Sequence, residues 1–182
     1  HLTPAALDDN LQVAGFGGAP TKAWRYDPLT NKFTVLNKRS VATGMNDSGD
    51  VVGYAYFKPT DQHAFWWYFE NGVERVKDLG TLGGKWSRAE SINNAPDRTR
   101  LMIVGTAANK KGQSRPFIYT PATGMVDLGL CIVGEEIAPG VIVPVDPAWG
   151  VTPIIVNDNG QIAASMAGGI RWQAVRLDPV VE

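Results

Sequence analysis

Along this chain apolar residues alternate with polar ones in short runs, and each run stops at a cluster of Asn, Asp, Gly or Pro. Alternation over four to eight residues places every second side chain on one face, which predicts β-strands. One such strand recurs four times. It reads Ala23-Trp24-Arg25-Tyr26, Ala64-Phe65-Trp66-Trp67, Pro116-Phe117-Ile118-Tyr119 and Ala174-Val175-Arg176-Leu177. The copies begin 41, 52 and 58 residues apart, so the unit is about 40 residues long and the excess is loop growth.

A second echo is a turn that feeds a strand. Met45-Asn46-Asp47-Ser48-Gly49-Asp50-Val51-Val52-Gly53 aligns without a gap on Val156-Asn157-Asp158-Asn159-Gly160-Gln161-Ile162-Ala163-Ala164. Asp8 to Gly15 fits the same frame, with Leu11 where the turn glycine stands elsewhere. Asn93-Asn94 opens the remaining copy, stretched by Ala95 to Leu101 before Met102-Ile103-Val104-Gly105. Asn, Asp and Gly suit such corners because glycine accepts positive φ and the short polar side chains bond nearby amides. The glycine after two branched residues, Gly53 and Gly105, predicts a bend or a close backbone approach.

A third echo, Val76-Lys77-Asp78-Leu79-Gly80 and Met125-Val126-Asp127-Leu128-Gly129, with Phe33-Thr34-Val35-Leu36 as a weaker copy, reads as a closing strand. Each full unit therefore holds about four strands, and with 20 glycines and 12 prolines breaking the apolar runs no helix is needed. The prediction is an all-β single domain, a small β-propeller of four four-stranded repeats at about 5–38, 39–80, 86–129 and 151–178, with an insertion at 130–149. A β-sandwich of the same hairpins is the alternative. The last copy lacks a fourth strand, which His1–Thr3 or Val180-Val181 is expected to supply.

Composition narrows the function classes. Seventeen basic and 18 acidic residues give a net charge of −1, which provides no field for nucleic acid. The apolar runs, broken by Pro or Thr, fall far short of the ~20 residues of a membrane helix. Cys131 stands alone, which excludes an internal disulfide and reads as a small buried hydrophobe. Residues 1–15 lack a charged start followed by a long apolar stretch, so a leader is either absent or already removed.

The strings His63-Ala64-Phe65-Trp66, Asp78-Leu79-Gly80-Thr81-Leu82-Gly83-Gly84, Ser87-Arg88-Ala89-Glu90-Ser91-Ile92-Asn93 and Asn46-Asp47-Ser48-Gly49-Asp50-Val51-Val52-Gly53 together resemble the HAF repeats, named for a His-Ala-Phe triplet. The resemblance is good over 39–93 and traceable over most of the rest. It implies an exported, extracellular or cell-surface bacterial protein with a propeller-like arrangement and no established catalytic set. The His position holds Lys22, Arg115 or Gln173 in the other copies, so the histidine is not shared.

Candidate sites follow from residue chemistry. Six Trp, five Tyr and six Phe offer rigid rings for a glycan or protein partner, and Trp67, Trp86 and Trp149 are the expected platforms, against inter-blade core as the plainer role. Asp47 and Asp50 are the best pair for Ca²⁺, although no segment has EF-hand spacing and turn geometry accounts for the same residues. The reading these features favour is a non-catalytic scaffold or binding module without a required cofactor, its partner a glycan, a protein or other copies of itself. The alternative is an exported carbohydrate-active enzyme. It would use copper held by His1 and His63, or the acid pair Glu135 and Glu136 in the insertion. A Ser-His-Asp triad on His63 lacks a Gly-x-Ser-x-Gly elbow.

Overall fold

The computed structural model describes residues 1–95, 97–128, 135–138, 141–143, 150–168 and 171–177. Strands dominate it, with a 3-10 turn at Arg98–Arg100. The first meander comprises β1 (Leu2–Leu7), β2 (Val13–Gly17), β3 (Lys22–Asp27) and the first part of β4 (Lys32–Met45). β4 pairs with β3 as far as Arg39 and from Ser40 onward with β5 (Val51–Tyr56), so one strand serves two meanders. The second meander continues through β6 (Gln62–Glu70) and β7 (Val73–Gly80). The third is β8 (Gly83–Ile92), β9 (Ile103–Asn109), β10 (Ser114–Thr120) and β11 (Gly124–Asp127). A hairpin of β12 (Glu135–Ala138) and β13 (Val141–Val143) precedes a fourth, three-stranded meander: β14 (Gly150–Val156), β15 (Ile162–Gly168) and β16 (Arg171–Leu177).

The chain is thus all-β. Its first eleven strands share one sheet in which β6 and β8 meet through a single parallel pair, Gln62 opposite Trp86, and this sheet does not close on itself. β1 pairs antiparallel with β2, Leu2 opposite Gly17 and Thr3 opposite Phe16. That corrects the expectation that His1–Thr3 completes the last unit: Leu2 and Thr3 belong to the first. Val180 and Val181 lie outside the described residues.

Each meander carries the same irregularity in the strand that enters its turn. The register shifts between Pro4 and Ala6, Ala42 and Gly44, Ala89 and Ser91, and Pro153 and Ile155. Such a bulge kinks the strand and brings its backbone over the next one. A Cβ on Gly53 would lie 2.0 Å from the Val41 carbonyl oxygen, and one on Gly105 would lie 2.1 Å from that of Arg88. The recurrent glycine is a close-approach position, as its place after two branched residues suggested.

The turns recur atom for atom. The side chains of Asp8, Asn46 and Asn157 each accept from the amides two and four residues on. The residue three places on takes positive φ, 73° at Gly49 and 76° at Gly160. Leu11 fills this place in the first turn with φ 62°, a conformation that costs a branched side chain about 1 kcal/mol. Its side chain is exposed, so little packing is at stake. Leu11→Asn is expected to raise stability by about 1 kcal/mol, a gain of about 2–4 °C in Tm. An unchanged or lower melting temperature would contradict the strain assigned to Leu11.

Meanders stack face to face. Ala14, Ala23 and Leu36 of the first meet Ala42, Val51, Phe65 and Trp67 of the second. Val52, Ala64 and Trp66 on its opposite face meet Ile103, Ala107, Phe117 and Tyr119 of the third. Val104 and Leu128 then meet Val156 and Ile162 of the fourth. A two-sheet sandwich would leave one face of each sheet wet, whereas the second meander is covered on both.

Candidate functional site

The densest polar network lies where the four turns meet. The amide of Asp9 donates to Asp47 Oδ1 (2.9 Å), that of Asp47 to Asn94 Oδ1 (2.8 Å), and that of Asn94 to Asp158 Oδ1 (2.7 Å). All four residues occupy the same place, immediately after the residue that forms the turn, so the bonds make a directional relay from each unit to the next. Asn46 Nδ2 to the Asn93 carbonyl (3.1 Å) and Asn10 Nδ2 to the Asp47 carbonyl (2.8 Å) reinforce it. In the stretched third turn Asn93 Oδ1 accepts from Met102 N and its Nδ2 donates to the Arg100 carbonyl, which closes the loop.

Below the relay sits a buried charge. Asp50 is 1% exposed; Oδ2 accepts from Trp66 Nε1 (2.9 Å) and Oδ1 from Arg98 (3.3 Å). Burial holds the Asp50 carboxyl above the usual range, with the Arg98 and Trp66 hydrogen bonds pulling the other way. Arg98 also donates to the Phe69 carbonyl (2.8 Å) and lies over the Tyr68 ring. From the other side Arg25 reaches across the first interface, donating to the Gly49 carbonyl (2.7 Å) and covering the Phe69 ring at 4.0 Å. Two arginines from neighbouring units therefore clamp the second meander.

These contacts place the expected site residues. Asp47 Oδ1 belongs to the relay, and both oxygens of Asp50 receive donors, from Trp66 and Arg98. Among the described residues no three His, Cys, Asp or Glu side chains group as metal ligands. Trp67 is 0% exposed and offers no face to a ligand. The aromatic strand alternates normally, but with a unit on each side, Phe65 and Trp67 fill one interface and Trp66 the other. Trp86 is half-buried, and Trp149 lies outside the described residues.

The remaining candidates separate. His63 Nδ1 lies 2.9 Å from both oxygens of Asp78, joining β6 to the outer strand β7. Arg115 makes the same tie to Asp127 (2.9 Å) in the third meander. The His position of the triplet is thus a donor place between two strands, and each of its occupants here, Lys22, His63, Arg115 and Gln173, carries an N–H donor. His63→Arg is expected to leave stability within about 0.5 kcal/mol and His63→Ala to cost at most about 1, read by urea unfolding. A larger loss in His63→Arg would mean the imidazole does something a guanidinium donor cannot. His1 lies in the first meander, where its carbonyl accepts from Gly18. Glu135 and Glu136 lie on β12, opposite Val143 and Ile142. Cys131 lies outside the described residues.

Buried serines escaped the sequence reading. Ser87 Oγ accepts from Ala64 N (2.7 Å) and donates to the Gly80 carbonyl (2.5 Å), while Ser40 Oγ accepts from Ala23 N (2.9 Å) and donates to that of Lys38 (2.7 Å). Each belongs to one unit and holds the Ala-aromatic strand of the unit before it. The signal was present: Ser-x-Ala-x-x-x-Asn occurs at both 40–46 and 87–93.

No family profile matches the chain. Over 108 residues it is 28% identical to the tRNA 5-methylaminomethyl-2-thiouridine biosynthesis bifunctional protein MnmC of Shewanella loihica, which covers 57% of this chain and 15% of that protein. The chain therefore spans about a seventh of that relative, and a likeness of this extent gives it neither a family nor an activity. Among the described residues no helix is long and apolar enough to cross a membrane.

Proposed function

We propose that the protein is a non-catalytic scaffold or binding module built of HAF-type repeats, its meanders set as propeller-like blades and its place outside the cell or on its surface. The observation that carries this reading is how the reactive side chains are used. Asp50, His63, Asp78, Arg115, Asp127, Ser40 and Ser87 are each engaged in a tie between strands or between units. Most of these groups are thereby spent on structure; His63, tied to Asp78 through Nδ1 alone, is the one whose second ring nitrogen no such tie engages, and it is therefore the residue the test removes. The extracellular place and the repeat family rest on the sequence resemblance.

The test is turnover. Chromogenic glycosides, esters and peptides, and polysaccharide with cupric ion, are incubated with the chain and with His63→Ala. Turnover present in the first and lost in the second would replace the scaffold reading with the enzyme one.

A further inference from the structure

Strands that alternate in direction send their turns to opposite ends of a meander, and the sequence puts different charges on the two sets. The relay end carries Asp9, Asp27, Asp47, Glu74, Asp97 and Asp158 on its turns or beside them. The other end is formed by the turns at 18–21, 57–61 and 110–113. The passages from one meander to the next lie beside those turns: Ser40 N donates to the Thr21 carbonyl (3.0 Å), and Gly83 pairs with Asn109. This end carries Arg39, Lys58, Lys85, Lys110 and Lys111, all exposed, with Lys38 half-buried among them. Its carboxylates are already engaged, Asp61 by Lys58 (3.7 Å), Asp78 by His63 and Asp127 by Arg115. Lys38, Arg39, Lys85, Lys110 and Lys111 pair with no carboxylate among the described residues. A net charge of −1 thus conceals an acidic end and a basic one.

A cavity of about 290 Å³ opens at the basic end between the first and second meanders, its walls including Phe16, Thr21, Arg39, Tyr54, Tyr56 and Gln62. Among the described residues no carboxylate lines it. The Arg39 guanidinium lies over the Tyr56 ring at 4.3 Å, a contact that holds an exposed cation in one place. Among the described residues no protein group hydrogen-bonds the Arg39 guanidinium, the Gln62 amide, the Thr21 hydroxyl or either phenol. From Gln62 the basic surface continues to Lys85, next to Trp86 with which Gln62 pairs, and to Lys110, whose side chain lies against Gly83.

We infer that this end binds an acidic glycan: one uronate ring enters the cavity with its carboxylate on Arg39, and the chain runs on along Lys85 and Lys110. Sugar hydroxyls both donate and accept, as do the amide, hydroxyl and phenols of the cavity, and its volume is at the lower end of small-molecule sites, room for one ring. A nucleic acid strand would need successive open ring faces, whereas Tyr54, Tyr56 and Phe57 are half-buried and each lies under a cation. The inference rests on the scaffold reading, to which it gives a ligand class.

Calorimetric titration of residues 1–182 with hexamers of galacturonate and of mannuronate tests it, with their methyl esters as uncharged controls. At least one hexamer is expected to bind, and to weaken at least about tenfold on esterification, in Arg39→Ala, and between about 50 and about 200 mM salt. Gln62→Ala is expected to lower affinity with the salt dependence unchanged, and Lys110→Glu with Lys111→Glu to flatten that dependence. Arg75→Ala, at the relay end, is expected to bind as the parent does, and unfolding midpoints identify any variant that loses structure. Failure of both hexamers to bind at about 5 mM, equal binding of the esters, or indifference to both Arg39→Ala and Gln62→Ala overturns the inference. Tighter binding of a single-stranded DNA hexamer overturns it too, making the basic end a nucleic-acid surface. The titrated samples are assayed for cleaved sugar. No binding and no cleavage would sink the glycan site and leave the scaffold reading standing; cleavage lost in His63→Ala would sink the scaffold reading itself.

Discussion

Arg98→Ala is expected to destabilise the fold by about 3–5 kcal/mol near pH 7.5 and by distinctly less near pH 5. The substitution leaves the Asp50 carboxylate, 1% exposed, with Trp66 Nε1 as its remaining direct partner. An uncompensated buried charge is the costly case, and the group can escape it by taking a proton. The Asp50 carboxyl is already held above its ordinary 3.8 by burial, and losing Arg98 removes one hydrogen bond and the nearer charge that oppose this, leaving the Trp66 hydrogen bond and the more distant Arg25 charge. Between 3.8 and the raised value the folded protein holds a proton that the unfolded chain has released, so stability falls as pH rises through that window. Asp27 and Asp97 have the opposite sign. Their hydrogen bonds to Thr30 and Thr99 pull them down, and their contribution is lost only below the ordinary carboxylate range. Burial raises Asp8 and Glu90 in the same direction, so the Asp50 effect is read as the difference between the parent and Arg98→Ala at each pH, in which those shared contributions cancel. Equal losses at both ends would show that Arg98 acts only by its rings and carbonyl contacts.

The converse substitution has a smaller cost. Asp50→Ala orphans Trp66 Nε1, but the Arg98 side chain is 40% exposed and water reaches its charge, so about 2–3 kcal/mol is expected. The pair is thus asymmetric, the buried partner setting the penalty.

Trp67→Ala is the other large effect, about 3–5 kcal/mol, because a fully buried indole leaves a cavity between the first and second meanders. Trp67→Phe is expected to cost under about 1.5 kcal/mol: Trp67 Nε1 is buried without a partner, so removing that donor offsets part of the lost volume. Denaturant unfolding of both variants decides the matter. If Trp67→Ala left stability within about 0.5 kcal/mol, the ring would belong to the surface after all.

The misreading of Trp67 has a physical origin. Alternation tells which residues share a face but not what covers it. In Ala64–Phe69 successive rings point to opposite sides, and a sheet with one wet face would expose half of them. The second meander has none, since units on both sides bury Phe65 and Trp67 on one face and Trp66 on the other. Asp50 shows the same limit of local pattern. Asn46-Asp47-Ser48-Gly49-Asp50 reads as an oxygen-rich loop, but the partners that claim it, Trp66 and Arg98, are 16 and 48 residues away.

Sequence by itself determined the strands, the turns and the glycines of close approach, because local sterics and short-range hydrogen bonds govern these. Positive φ at Gly49, the Asx bonds of Asn46 and the contact of Gly53 with Val41 all lie within one hairpin. Tertiary structure decided what stands on each side of a sheet: the clamp of Arg25 and Arg98 and the relay from Asp9 to Asp158. Those depend on contacts between units some 40 residues apart, where burial and pairing are set by the neighbour and not by the segment's own pattern.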